Sequence, residues 1–86
     1  MPSVCQFFGI MIYMYYNDHS PPHFHAEYAG SEVLIDIQTL RAISGNILRR
    51  AHAMAIEWAD RNRTELMANW ERVRNGDRLM QIEPLE

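Results

Sequence analysis

The chain has 86 residues and a formal net charge of −3, from 8 Lys+Arg against 11 Asp+Glu, with 48% hydrophobic and 22% charged residues. That length holds one small domain and excludes a Rossmann domain, a TIM barrel, a kinase or an α/β-hydrolase. The composition excludes a disordered chain or a collagen-like repeat, and the lone Cys5 excludes an internal disulfide and a Cys₄ or Cys₂His₂ zinc site.

A single cysteine fits a reducing compartment. The opening Met1-Pro2-Ser3 carries no cation of a secretory leader. The longest apolar run, Phe7 to Tyr16, is about half the ~20 residues of a membrane-spanning helix. A cytoplasmic location without membrane contact is therefore expected. Every cation is an arginine. The first 45 residues are acidic, with Arg41 against Asp18, Glu27, Glu32 and Asp36. Residues 46–75 are basic, with Arg49, Arg50, Arg61, Arg63, Arg72 and Arg74 against four acids. Phosphate contacts dominate nucleic-acid affinity, so the acidic balance disfavours that role and leaves only the arginine-bearing part to fill it. The plainer reading of those charges is a solvated helix face with i,i+4 pairs such as Glu57–Arg61.

In chain order, Phe7 to Tyr16 reads as one strand with apolar side chains on both faces. Asn17 to Pro22 reads as a loop, with trans favoured at both prolines. His23 to Ala29 alternates, with Phe24, Ala26 and Tyr28 on one face and His23, His25 and Glu27 on the other. Gly30-Ser31 reads as a type II′ turn, and Glu32 to Gln38 alternates again. That turn pairs Tyr28 with Val33, Ala26 with Ile35 and Phe24 with Ile37, which gathers the apolar residues on one face. It also sets His25 opposite Asp36 and His23 opposite Gln38. The first strand is expected to place Tyr13 near His25, leaving Ile10, Ile12 and Met14 for the core.

A short fourth strand is expected around Arg41–Ile43. Asn46 then caps a helix whose apolar residues recur from Ile47 to Val73 at helical spacing. Asn62-Arg63-Thr64-Glu65 resembles a capping box, which predicts two helices or one helix kinked near Arg61–Arg63. Gly76 suits a helix end, and Leu79 to Leu85 is apolar enough to dock back. The expected fold is α+β. A small antiparallel sheet of three to four strands carries two C-terminal helices, or one kinked helix, on one face. Residues 1–86 form a single domain with a β-rich part (1–45), a helical part (46–76) and a docking tail (77–86).

The chemistry concentrates in Asp18-His19-Ser20-Pro21-Pro22-His23-Phe24-His25-Ala26-Glu27. His23 and His25 project to one side of a strand, the geometry by which two imidazoles share a metal. Asp18, His19, Glu27 and Asp36 stand near enough in sequence or register to complete a shell. Zinc or another divalent metal suits such N/O donors and would activate water for hydrolysis. The plainer reading is a set of polar pairs on a sheet face, with Asp18 closing its own loop. A third is a contact surface whose imidazoles change charge near neutrality. Trp58 and Trp70 fall near one helix face and read as core or as a dimer interface. There is no Gly-rich phosphate loop, Ser20 is no triad member, and Cys5 reads as packing.

Phe8-Gly9-Ile10, Met14-Tyr15-Tyr16, Asp18-His19, Pro21-Pro22-His23-Phe24-His25 and Tyr28 resemble the opening of a family of short bacterial proteins, domain of unknown function 4160. Gly45, Arg49-Arg50, Glu57-Trp58, Leu66, Trp70 and Ile82-Glu83-Pro84-Leu85 extend the resemblance over the whole chain. Leu48 departs from it, since a proline is expected before the paired arginines. The resemblance implies no activity. It implies a gene beside that of another small protein, and toxin–antitoxin-like pairing. The leading expectation is thus a cytoplasmic interaction module with a small protein partner, or with itself. The alternative is a metal-dependent hydrolase or nuclease built on the histidine cluster.

Overall fold

The computed structural model describes residues 3–16 and 19–86. Among them, β1 (Ser3–Phe7), β2 (Ile10–Tyr13), β3 (His23–Tyr28), β4 (Ser31–Asp36) and β5 (Ala42–Gly45) form one antiparallel sheet in chain order. Two helices follow, α1 (Arg49–Arg61) and α2 (Arg63–Arg74). The class is the expected α+β, but the sheet has five strands where three to four were expected.

The extra strand is β1, which lies ahead of the apolar run Phe7–Tyr16 except for Phe7, and that run is not one strand. It reverses at Phe8 and Gly9, both at positive φ (49° and 79°). Such a two-residue turn matches the twist of the strands it joins, and glycine takes that conformation without a Cβ penalty. A run with no polar residue hides its own turn. Beyond it, Tyr13 pairs with His25, as expected, which sets Ile12 opposite Ala26. Ile10, Ile12 and Met14 are fully buried. The Ser20–Pro21 peptide is cis, against the trans bond expected.

The β3–β4 reversal also differs. Ala29 and Gly30, not Gly30 and Ser31, form the turn, both with positive φ. Tyr28 therefore pairs with Ser31, Ala26 with Val33 and Phe24 with Ile35. The register moves by two residues, an even number, so every side chain keeps its expected face while its partner changes. At the far edge, β5 ends on Gly45 opposite Val33, where a Cβ would run into the Glu32 carbonyl oxygen.

The helices and the sheet share one core. The Trp58 ring of α1 lies 5.5 Å from Phe7 and 5.9 Å from Phe24. Burying each such side chain contributes roughly 1.5–3 kcal/mol relative to exposure, which is what holds α1 to the sheet. α1 starts at Arg49 with Leu48 at the cap position and no side-chain cap, so Asn46 does not fill the expected role. The capping box does not form either. Asn62 separates the helices, and its Nδ2 donates to the Trp58 carbonyl, which also accepts from the Asn62 N–H, so the side chain closes the end of α1 rather than starting α2. Past α2, Gly76 N–H donates to Val73 O and Asp77 N–H to Arg72 O, the Schellman pattern. The tail then docks along β1: Ile82 is buried and its N–H donates to the Val4 carbonyl. No helix among the described residues is long and apolar enough to cross a membrane.

Candidate functional site

Strand alternation places His23 and His25 on the face opposite Phe24 and Ala26, as the sequence predicts. Their burial was not predicted: the two residues are only 5% and 8% exposed. The rings stand 5.2 Å apart. Tyr15 meets His25 edge-on at 4.5 Å, and Trp70 of α2 lies 5.3 Å from His23. Each Nδ1 is engaged with an oxygen. That of His23 lies 2.8 Å from the Pro21 carbonyl, which only accepts, so this nitrogen carries the proton. That of His25 lies 3.3 Å from Glu32 Oε2.

The carboxylate beside His25 is thus Glu32 and not Asp36. The two-residue register shift sets Asp36 opposite His23 and Leu34 opposite His25. Asp36 Oδ1 accepts from the N–H groups of Gln38 (2.7 Å) and Thr39 (2.9 Å), an Asx turn that closes the β4–β5 connection. Glu27 sits farther along β3, opposite Met11 and Glu32. His19 is exposed in the loop. Asp18, with its expected loop-closing role, lies outside the described residues.

A zinc site needs three or four converging ligands. Among the described residues, no three of His, Cys, Asp or Glu come together to hold a metal ion. The described donors therefore do not assemble the expected metal centre. The described ring contacts of His23 and His25 form an aromatic layer on one face of the central strand β3.

Two other expectations resolve at the level of packing. Trp58 and Trp70 are buried in the core of their own chain, so their rings present no face to a second chain. The Trp58 indole N–H donates to Glu83 O at 2.7 Å, which ties α1 to the tail. Cys5 is buried on β1 beside an open groove of about 390 Å³, lined also by Gln6, Gln81, Ile82, Glu83 and Pro84. Burial pushes its thiol pKa up, with Glu83 adding to the effect, so this cysteine is not an activated nucleophile.

Sequence reading missed Asn69, a fully buried polar residue. Its position between Leu66 and Val73 on the buried helical stripe was the available signal. It also missed the openness of the other sheet edge. β5 is the last strand in the sheet, and all four of its residues are exposed. Ile43 on that strand and Leu48 just beyond it are 45% and 61% exposed.

A family model described as a domain of unknown function (DUF4160) matches residues 9–71. No curated protein and no solved structure gives a significant match to the chain.

Proposed function

For a chain that belongs to the DUF4160 family, we propose a small protein-interaction module, one half of a two-protein pair of the toxin–antitoxin-like kind. The observation that carries this reading is the open edge of the sheet. A last strand whose residues are all exposed, with Ile43 and Leu48 standing out to solvent, is a surface that a partner covers. The described ring contacts of His23 and His25 are with the Tyr15 and Trp70 rings and with each other, which is packing rather than a set of groups turned to solvent.

The resemblance implies a small protein encoded alongside as the natural partner. Co-expression of the two chains with an affinity tag on this one tests the proposal. The expected result is a complex that survives affinity capture and elutes from a sizing column as one species larger than either chain. Separate elution of two folded proteins would remove the reading.

A further inference from the structure

The stretch from Arg41 to Arg50 is the most outward part of the chain, and Ile47 alone is buried in it. It carries three arginines and no acid in a protein whose net charge is −3. Among the described residues, the side chains of Arg41, Arg49 and Arg50 make no hydrogen bond or ion pair. Arg61, Arg72 and Arg74 each make one, to Glu57, Asn69 and Ser20, and Arg63 makes two, to Asp60 and the Gln38 carbonyl. Within the stretch, the β4–β5 register passes from Leu34↔Ser44 to Ile35↔Ala42, so Ile43 is the extra residue of a bulge and has no cross-strand partner. The strip thus presents two large aliphatic side chains among three unpaired guanidiniums.

We infer that this strip is the docking surface for an acidic segment of a partner protein, one that sets apolar side chains over Ile43 and Leu48 and carboxylates against Arg41, Arg49 and Arg50. The inference rests on the interaction-module reading and gives that module a place and a partner chemistry. Carboxylates match guanidiniums in geometry as well as in charge. A second copy fits poorly edge to edge, because it would bring three arginines against three arginines, and an edge bulge with cations disfavours strand pairing between copies. Nucleic acid fits less well, because a phosphate backbone offers nothing to the two aliphatic side chains and the strip has no aromatic ring on which a base would stack.

The test uses the full chain and a fluorescein-labelled peptide in which glutamate alternates with leucine and valine. A peptide with lysine in place of glutamate and a labelled single-stranded oligothymidylate are run beside it by fluorescence anisotropy. The acidic peptide is expected to bind, to weaken as salt is raised, and to bind roughly tenfold or more weakly to the Arg41→Glu/Arg49→Glu/Arg50→Glu variant. The Ile43→Ser/Leu48→Ser variant, which keeps the charges, is also expected to lose affinity, and the lysine peptide not to bind. All five residues are exposed, so both variants should keep the wild-type circular dichroism. No binding of the acidic peptide, binding unchanged in both variants, or tighter binding of the oligothymidylate would overturn the inference. So would a wild-type dimer that either variant dissolves. A complex with the co-expressed partner that persists unchanged in both variants would also overturn it while leaving the interaction module standing. Failure of the wild-type chain to form that complex, with peptide binding intact, would instead strike the pairing with the neighbouring protein.

Discussion

Asn69 is fully buried, and its amide is used on both sides. Nδ2 donates to the Met80 carbonyl at 2.8 Å, while Oδ1 accepts from the Met80 N–H at 3.0 Å and from Arg72 at 2.7 Å. One side chain thus replaces the strand partner that the start of the tail lacks. Asn69→Ala leaves those backbone groups unpaired, which costs about 1–3 kcal/mol. The expected readout is a lower urea midpoint at an unchanged slope. Cys5 gives a pH prediction at the same scale. Burial raises its thiol pKa in the folded chain. Below the unfolded thiol's pKa, about 8.5, both states hold the proton and Cys5 contributes no pH dependence. Above it the unfolded chain releases the proton first, so stability falls as pH rises. The urea midpoint is therefore expected to drop more between pH 7 and pH 9.5 in the wild-type chain than in Cys5→Ala. Equal drops would show that the thiol titrates alike in both states.

Elements were legible in the sequence to different depths. β3 and β4 alternate polar and apolar residues, so their faces could be read directly. Their turn could not, because Gly30 serves equally as the first residue of Gly30-Ser31 or the second of Ala29-Gly30, and only packing chooses between them. That choice replaced Asp36 with Glu32 as the carboxylate beside His25. β1 was missed because the expected strand began at Phe7, the last residue of β1, and ran on through the turn at Gly9. The two helices, the Glu57–Arg61 pair (2.8 Å) and the Gly76 terminus follow from local spacing and were read correctly. Histidine burial was not legible, since it depends on Tyr15 and Trp70 arriving from other elements. The tail belongs to this scale too. It supplies the acceptor for the Trp58 indole, buries Ile82 and pairs with β1. Deleting residues 80–86 is expected to cost at least about 2 kcal/mol, from the lost burial of Ile82 and an indole N–H left without its partner. A lower thermal midpoint and a red shift of tryptophan emission would report it. An unchanged midpoint would mean that the tail is an ornament.

At the scale of the whole molecule, the two edges of the sheet are unlike. The tail docks along β1, while on the central strand β3 His23 and His25 pack against Trp70 of α2 and Tyr15. The β5 edge is left bare, with apolar and cationic side chains outward. A chain this small buries only about 60–65% of its unfolded surface, so a partner that covers the bare edge also adds to its stability. Hydrogen exchange tests most directly whether this edge is where the molecule works. Free chain and chain captured with its co-expressed partner are compared peptide by peptide. New protection is expected to concentrate in residues 40–50. New protection around His23 and His25, with residues 40–50 exchanging as fast as in the free chain, would contradict it.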